Sequence, residues 1–415
     1  MSQATNLGNL ALFGGSPAFP RDQLTPWPAP DEEHREALIR VLESRRYHRV
    51  NHPIVVDLER TLEAWGGTHA RALASGTAAL HVSFDYLREP EGRVAVSALN
   101  WPGAVGPVFF SGMEPVYHDV SLETACLDGS TIKADDRGSS IVAVLATHLF
   151  GNYCGVAESL TQSPATSAMP IVHDCAQAIG ALTSLHMLPS EAGIALSGNG
   201  SKHLGAGELG ILCSRDAGRI EHVDRVSLAS SSRDGGRIFS PNTCGYNYRP
   251  NVFSASIAVS RMKTIDAQLA QRRKNAAHVW RHLSELPGIR RVFELDEERN
   301  SFCVIPLRFD LAALGLPSTS QVRDRLVEVL QAEGAPVGVW LRRPVWEYMA
   351  QSTAHPMQKF PNTECLLRTM FHIAEIGPPN GLAQMSGIAS AFEKVWNHID
   401  GLRTWLTEVS EGDAS

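Results

Sequence analysis

The chain has 415 residues, of which 43% are hydrophobic and 20% are charged, and its formal net charge is −7. This length exceeds the usual size of a single hydrophobic core, so the sequence predicts two domains of ordinary globular composition. The mild negative charge and the scattered basic residues argue against a dedicated nucleic-acid surface, but they leave room for a local basic pocket. No segment approaches the roughly 18 consecutive apolar residues of a membrane-spanning helix.

The N-terminus and the cysteines indicate a cytoplasmic protein. Residues 1–6 lack the basic and apolar regions of a secretory signal. The seven cysteines are odd in number and have no paired spacing, which is typical of reduced residues rather than of disulfides or a zinc site. The sixteen histidines show no metal-ligand spacing either, so we expect no metal.

The first two thirds of the chain predict an α/β fold. Amphipathic helices are expected at residues 34–44 and 54–65, and strand-like segments then alternate with helical ones. Such alternation favours a mostly parallel sheet that is covered on both faces. The predicted strands are residues 71–74, 94–96, 114–120, 140–146, 170–174, 192–196 and 210–213.

The last third follows an α+β pattern. A long helix is expected over residues 252–283, a strand over 302–309, a helix over 320–333 and a final helix over 387–408, with a polar tail behind it. We therefore predict a large domain at residues 1–265, with an N-terminal arm, and a smaller α+β domain at residues 266–415.

Four strand ends carry residues that could bind a ligand. Ser75-Gly76-Thr77 leads from a strand into a helix, where free N–H groups and a hydroxyl suit a phosphate, although a plain N-cap is the alternative. Asp174 closes a buried-type strand, either as a ligand-binding carboxylate or as a helix N-cap. Trp101 could offer a flat surface or pack in the core, and His148 could line the same cleft or be structural.

Lys202 lies in a glycine- and serine-rich loop between two short apolar strands, residues 192–196 and 210–213. Alone, it could be a solvated lysine on a turn or an amine held at a site. Together with a phosphate cradle, an aromatic face and a carboxylate on successive strand ends, it favours one ligand, pyridoxal phosphate (PLP). That cofactor uses a lysine, a helix N-terminus, a stacking ring and a carboxylate beside its pyridine nitrogen.

The chain resembles the DegT/StrS-type family of PLP-dependent sugar and aminocyclitol aminotransferases, which have the aspartate aminotransferase fold (PLP fold type I). The resemblance covers most of the chain and is carried by several motifs in the right order. They are Ser75-Gly76-Thr77-Ala78-Ala79-Leu80, Thr147-His148-Leu149-Phe150-Gly151, Asp174-Cys175-Ala176-Gln177-Ala178, Ser197-x₄-Lys202-x-Leu204-x₂-Gly207-Glu208, Gly245-Tyr246-Asn247-Tyr248-Arg249 and Arg272-Arg273-Lys274-Asn275-Ala276.

The resemblance implies a fold with a mostly parallel, seven-stranded-type sheet and a role for each matched residue. Lys202 would be the Schiff-base lysine and proton shuttle. Asn247 would reach the phosphate of a neighbouring subunit, so the sites would need a homodimer, and Arg249 and His148 are candidates for substrate contacts. The remaining cofactor contacts would come from Gly76 and Thr77 (phosphate), Ser197 (phosphate), Trp101 (ring stacking), Asp174 (pyridine nitrogen) and Gln177 (ring hydroxyl).

Some positions depart from the family pattern and concern the acceptor. Gly198, Leu209 and Ile179 stand where the family usually has other residues. Residues 45–53 replace a glycine-rich loop on the substrate side, and residues 339–346 replace a shorter proline/histidine signature. These departures leave the cofactor chemistry in place, but they leave the identity of the acceptor open.

The predicted function is transfer of an amino group from glutamate or glutamine to a keto sugar or cyclitol ketone, with cyclitol amination faintly favoured by residues 12–17. One alternative is another PLP reaction on the same scaffold: dehydration, decarboxylation or oxidative chemistry on an amino acid. A second alternative is a non-enzymatic sensor with a PLP fold, since fold alone does not decide function. The intact set of lysine, aspartate and glutamine argues against the sensor.

Overall fold

The computed structural model describes residues 7–49, 52–89, 91–133, 141–162, 168–181, 191–228, 244–294, 298–349 and 357–408. The predicted tail after Glu408 and the first six residues lie outside this part of the chain. Within it, no helix is long and apolar enough to cross a membrane.

Seven strands form one sheet in the order β1-β7-β6-β5-β4-β2-β3. Neighbours from β6 through β3 run parallel, whereas β7 is antiparallel to both β1 and β6. The predicted, mostly parallel sheet is thus confirmed. Its strands are β1 His69–Leu73, β2 Arg93–Ser97, β3 Glu114–His118, β4 Ile141–Thr147, β5 Ile171–Asp174, β6 Glu191–Ser197 and β7 Gly210–Ser214.

A second, four-stranded sheet has the order β10-β11-β9-β8. Its strands are β8 Ile289–Arg291, β9 Ile305–Phe309, β10 Val337–Gly338 and β11 Met370–Ile373. Its core also contains Leu10, Phe19 and Leu24 from the start of the chain. The predicted division after residue 265 falls at the first residue of the helix Ile265–Leu283, whose later residues pack in this core, and it stays a prediction.

Helices cover both sheets. They are α1 Glu32–Ser44, α2 Pro53–Gly66, α3 Gly76–Tyr86, α4 Pro102–Phe110, α5 Gly129–Lys133, α6 Val156–Thr161, α7 Ala217–Ser227, α8 Val252–Met262, α9 Ile265–Leu283, α10 Ser320–Ala332, α11 Pro361–Thr369, α12 Leu382–Trp396 and α13 Ile399–Thr407.

Three elements begin or end at residues other than those predicted from the sequence. The helix expected over residues 252–283 is two helices, because Lys263 and Thr264 close the first with tight bonds to carbonyls three residues back. The helix expected over 387–408 is likewise divided between α12 and α13. The strand expected from Phe302 begins only at Ile305, because Phe302 has a φ of 46° and Cys303 donates to the Phe150 carbonyl instead.

Candidate active site

The carboxyl ends of β4, β5 and β6 meet at one edge of the large sheet, where an open α/β sheet binds its ligands. A cavity of about 410 Å³ lies there. This volume falls within the range of small-molecule sites. Its walls contain eight residues that the sequence predicted for one site: Gly76, Thr77, Trp101, His148, Asp174, Gln177, Ser197 and Lys202.

Lys202 is held on the connection between the antiparallel strands β6 and β7. Its N–H donates to the Asn199 carbonyl at 2.9 Å, and its own carbonyl accepts from the Gly205 N–H at 2.9 Å. The same carbonyl accepts from the Trp27 indole Nε1 at 2.8 Å. The backbone is therefore fixed on both sides of the lysine, while the half-buried side chain extends into the cavity.

Asp174 ends β5 and is 6% exposed. Its Oδ1 accepts from the Ala176 N–H at 3.0 Å. Burial raises the pKa of the Asp174 carboxyl, and the Ala176 N–H and the Lys202 ammonium partly oppose this rise. A buried carboxylate of this kind is stabilised by a cation at the cavity, because its own protein partners do not fully offset its desolvation.

The start of α3 lies beside Ser197 in the lining of the cavity. Ser75 Oγ accepts from the Ala78 N–H at 3.1 Å, which confirms the N-cap interpretation of this tripeptide. The N–H groups of Gly76 and Thr77 belong to the first turn of α3, where the helix itself provides no carbonyl acceptor. They can therefore bind an anion as well. A Cβ on Gly76 would lie 3.2 Å from Ser197 Cβ, so glycine keeps this approach open.

The Thr77 hydroxyl is already used within the protein. It donates to the Gly103 carbonyl at 3.0 Å and thereby joins α3 to α4. Ser197 Oγ accepts from the Asn199 N–H at 3.2 Å, so its hydroxyl hydrogen is left to donate to a ligand. The anion-binding capacity of this cradle therefore resides in the helix N–H groups and Ser197.

Gln177 and His148 lie beside the aspartate. Gln177 Oε1 accepts from the Phe150 N–H at 2.7 Å, which leaves its amide NH₂ for a ligand. His148 is fully buried: Nδ1 accepts from the Cys154 N–H at 3.1 Å and Nε2 lies 3.2 Å from His173 Nδ1. Burial lowers the pKa of His148 well below its ordinary value. With both ring nitrogens engaged, the structural interpretation of His148 is favoured over a substrate contact.

Two aromatic side chains form the outer part of the cavity. Trp101 is 49% exposed and stacks on Trp340, with 5.5 Å between ring centroids and 20° between planes. The Lys202 Nζ lies 5.3 Å from the Trp340 ring centroid. The sequence marked residues 339–346 as a departure, but it did not single out Trp340, because the segment reaches the cavity only through the tertiary fold.

Asn247 and Arg249 do not line this cavity in the described part of the chain. Asn247 is exposed and has a φ of 58°. Tyr246 and Tyr248, its neighbours, are held against α3: the Tyr246 hydroxyl donates to Asp85 at 2.8 Å, and the Tyr248 hydroxyl lies 2.9 Å from His81 Nδ1. The Asn247 side chain is thus presented outward from an anchored segment.

Fold and site together define a PLP-dependent aminotransferase of fold type I. Within that class, the chain belongs to the DegT/DnrJ/EryC1/StrS aminotransferase family, whose model matches residues 28–377. Because this match covers most of the chain, it confirms the family, the fold and the enzyme class predicted from the motifs, and it excludes the sensor alternative.

Two relatives and one solved structure illustrate the similarity. An L-glutamine:2-deoxy-scyllo-inosose aminotransferase from Streptomyces lividus is 31% identical over 65% of this chain and 66% of that enzyme, just under two thirds of its length. A 3-amino-5-hydroxybenzoate synthase from Amycolatopsis mediterranei is 27% identical over 85% of this chain and 90% of that enzyme. The crystal structure of 3-amino-5-hydroxybenzoic acid synthase covers 89% of this chain and 99% of its own, with 23% identity and a TM-score of 0.78, and supports the fold.

Proposed function

We propose that this aminotransferase moves an amino group from glutamate or glutamine to a keto sugar or a cyclitol ketone, in the biosynthesis of an antibiotic or a sugar. One observation carries the proposal: a single cavity holds the Lys202 amine, the buried Asp174 carboxylate and the start of α3. The relative that aminates 2-deoxy-scyllo-inosose with glutamine supports this donor and this kind of acceptor.

The residues of the cavity fit PLP. Asp174 lacks full charge compensation and would hold the protonated pyridine nitrogen, whose positive charge offsets the burial of the carboxylate. The N–H groups of Gly76 and Thr77, with the Ser197 hydroxyl, would bind the phosphate. Gln177 would donate to the ring hydroxyl, since its Oε1 is already occupied. Trp101 would supply an aromatic face for the ring.

Lys202 performs the proton transfers in this proposal. When bound, PLP supplies an electron sink that stabilises negative charge at the substrate carbon. Lys202 Nζ would hold the cofactor through a covalent bond, and, once released by the amino donor, it would remove and return protons at that carbon. The fixed backbone around Lys202 keeps Nζ within the cavity, which serves such a shuttle.

We further propose that the enzyme is a cytoplasmic homodimer with shared sites. Asn247 is exposed on a segment anchored to α3. Arg249 belongs to the same segment and also lies outside the cavity lining, and its Nη1 is 3.4 Å from His48 Nε2. In a dimer these side chains would reach the neighbouring cavity, where Asn247 would contact the phosphate and Arg249 would bind the donor's carboxylate.

The test uses purified enzyme loaded with PLP. Borohydride treatment should attach the cofactor irreversibly to Lys202, as peptide mass spectrometry can locate, and glutamine should convert the cofactor to its amine form, as its absorbance reports. Lys202→Ala should lose both results, with turnover reduced by at least about 100-fold. Asp174→Asn, which keeps shape but not charge, should keep the borohydride product while turnover falls about 100-fold. Labelling at a different lysine would contradict the proposal.

A second candidate is the formation of an aromatic amino acid. The 3-amino-5-hydroxybenzoate synthase matches more of this chain than the inosose aminotransferase does, 85% against 65%. Conversion of the cofactor to the amine form by glutamine separates the two candidates, because that half-reaction belongs to transamination from an external amino donor.

A further inference from the structure

Two aromatic rings, Trp101 and Trp340, form a wall of the cavity, and a third ring supports them from the core. Trp340 stacks on Trp101, and it meets the edge of the buried Phe150 at 5.8 Å between centroids and 72° between planes. Because the Lys202 amine lies 5.3 Å from the Trp340 centroid, any molecule that reacts beside this amine passes along the wall.

The chain holds Trp340 in place from both sheets. The residue follows β10, and the next residue, Leu341, is 3% exposed in the core beneath β4. Farther along, the Val345 N–H donates to the Ala98 carbonyl at 2.9 Å, just after β2. The wall is therefore a rigid surface. A rigid, flat aromatic face binds an apolar ring face at low conformational cost.

The charged residues that the described part of this chain contributes to the cavity do not favour a nucleotide-linked substrate. Among its described lining residues, Lys202 is the single lysine or arginine, whereas Asp174 and Glu208 are acidic. A diphosphate is normally bound by several cationic or N–H groups, and the start of α3 is assigned to the cofactor's phosphate. The donor's carboxylate needs one cation, for which Arg249 is the proposed group.

The remaining polar lining suits an uncharged polyol. Thr147, Asn199 and Ser201 line the cavity and are partly used within the protein: Thr147 Oγ1 accepts from Asn100, the Asn199 amide donates to Glu208, and Ser201 Oγ donates to Asn199. The Thr147 hydroxyl hydrogen, the second amide hydrogen of Asn199 and the lone pairs of Ser201 Oγ are left for a ligand. An uncharged ring with hydroxyl groups uses neutral hydrogen-bonding partners of this type, while the C–H groups of its face pack on an aromatic ring.

We propose that the acceptor is a compact, uncharged cyclic ketone, not linked to a nucleotide, and that Trp340 is the residue that selects it by stacking on its ring face. This inference rests on the proposed function and narrows it. The wall accepts a flat ring near Lys202, and the acidic side chains beside it disfavour a diphosphate.

Binding of unreactive probes tests the proposal without turnover. Calorimetry on holoenzyme in the amine form would compare myo-inositol, an uncharged six-membered ring without a carbonyl, with UDP-glucose. Myo-inositol should bind at least about ten-fold more tightly. Tighter or equal binding of UDP-glucose would overturn the proposal, as would the absence of measurable myo-inositol binding.

Variants then separate stacking from general packing. Trp340→Ala should weaken myo-inositol binding about ten-fold, and Trp340→Phe, which keeps a flat ring, about three-fold or less. Trp340→Leu keeps apolar bulk and should resemble the alanine variant. Tyr348→Ala is the matched control, because Tyr348 is 44% exposed on the same segment and outside the cavity lining. Equal binding by wild type and Trp340→Ala would contradict the role of Trp340.

The donor half-reaction keeps this test distinct from that of the proposed function. Conversion of the cofactor by glutamine is therefore measured on the wild-type enzyme, since the acceptor is absent from that step. If glutamine fails to convert even the wild-type cofactor, the proposed function fails. If conversion is normal while the probe preferences are reversed, the acceptor inference alone fails.

Discussion

The position of the Lys202 side chain depends on a residue distant in sequence. Trp27 Nε1 donates to the Lys202 carbonyl at 2.8 Å. The Trp27 ring also contacts the guanidinium groups of Arg261 and Arg272, at 4.5 and 5.0 Å from the ring centroid. A buried arginine and an aromatic ring thus support the backbone that carries the proposed Schiff-base lysine, so in this proposal the indole N–H is a positioning group.

Replacing Trp27 by phenylalanine removes this hydrogen bond and keeps an aromatic ring. We expect a loss of about 1 kcal/mol in unfolding free energy. Turnover should also fall, by about ten-fold, with little change in KM for the donor, because Lys202 Nζ is less well placed. Denaturant unfolding and steady-state kinetics measure the two effects.

Trp65→Phe is the matched control for this change. It deletes an equivalent indole hydrogen bond, 2.9 Å to Asp266, away from the cavity. If both variants lower turnover equally, Trp27 has no special role in positioning the lysine.

One helix and one extended segment connect the cavity to the protein surface. Helix α3 begins at the proposed phosphate cradle, and its last turns hold residues 244–249. Asp85 accepts from the Tyr246 hydroxyl through Oδ1 and lies 2.8 Å from His222 Nε2 through Oδ2. Burial and the Asp85 carboxylate raise the pKa of Tyr246 to about 12, so this hydroxyl remains a donor throughout the physiological range.

Asp85→Asn should loosen the segment that carries Asn247. The variant keeps the shape of the side chain but loses the charge that both partners contact, so we expect a local loss of about 1–2 kcal/mol. Hydrogen exchange at residues 245–249 should accelerate while the β-sheet stays protected. Tyr246→Phe removes one of the two partners and should show the smaller effect. Unchanged exchange in Asp85→Asn would mean that the backbone alone holds the segment.

The sequence predicts those parts of the site that follow from local patterns. Asp174 and Lys202 end or connect strands whose apolar runs are clear, so their strand-end positions are predictable. Trp27 and Trp340 are different, because each comes near Lys202 through contacts that span more than a hundred residues. No periodicity encodes such contacts. The break at Thr264 escaped prediction for a related reason, since the apolar spacing continues through it.

Buried neutral histidines should make the whole protein sensitive to acid. His203 is 2% exposed, and its Nε2 lies 3.0 Å from the Ser301 carbonyl. Burial, helped by the nearby Arg272, Lys202 and Arg273 cations, lowers the pKa of His203 to about 3. Burial alone lowers the pKa of His173 to about 3. The folded state therefore binds fewer protons than the unfolded state between pH 3 and pH 6.5.

The stability of the protein should consequently fall as pH drops below the unfolded histidine value of 6.5. The expected slope is up to about 1.4 kcal/mol per pH unit for each such histidine. Unfolding free energies measured between pH 7 and pH 5 should show the decline, and His203→Gln should reduce its slope. A slope that is the same in His203→Gln would show that other groups, such as the carboxylates, control acid unfolding.

If two chains share each site, as proposed, two inactive variants should restore activity when mixed. Lys202→Ala lacks the amine in its own cavity, and Asn247→Ala lacks the group proposed to reach its neighbour. In a mixed dimer, the cavity with an intact Lys202 receives Asn247 from the Lys202→Ala chain, so one site is complete.

Random mixing makes half of the dimers mixed, and each mixed dimer has one complete site of two, so activity should recover to about a quarter of the wild-type value. Each variant is first assayed alone, and the pair is mixed after mild dissociation, with mixing of two Lys202→Ala preparations as the control. If activity does not recover although the chains have demonstrably exchanged, Asn247 does not act in the neighbouring cavity, and the proposal of shared sites is contradicted.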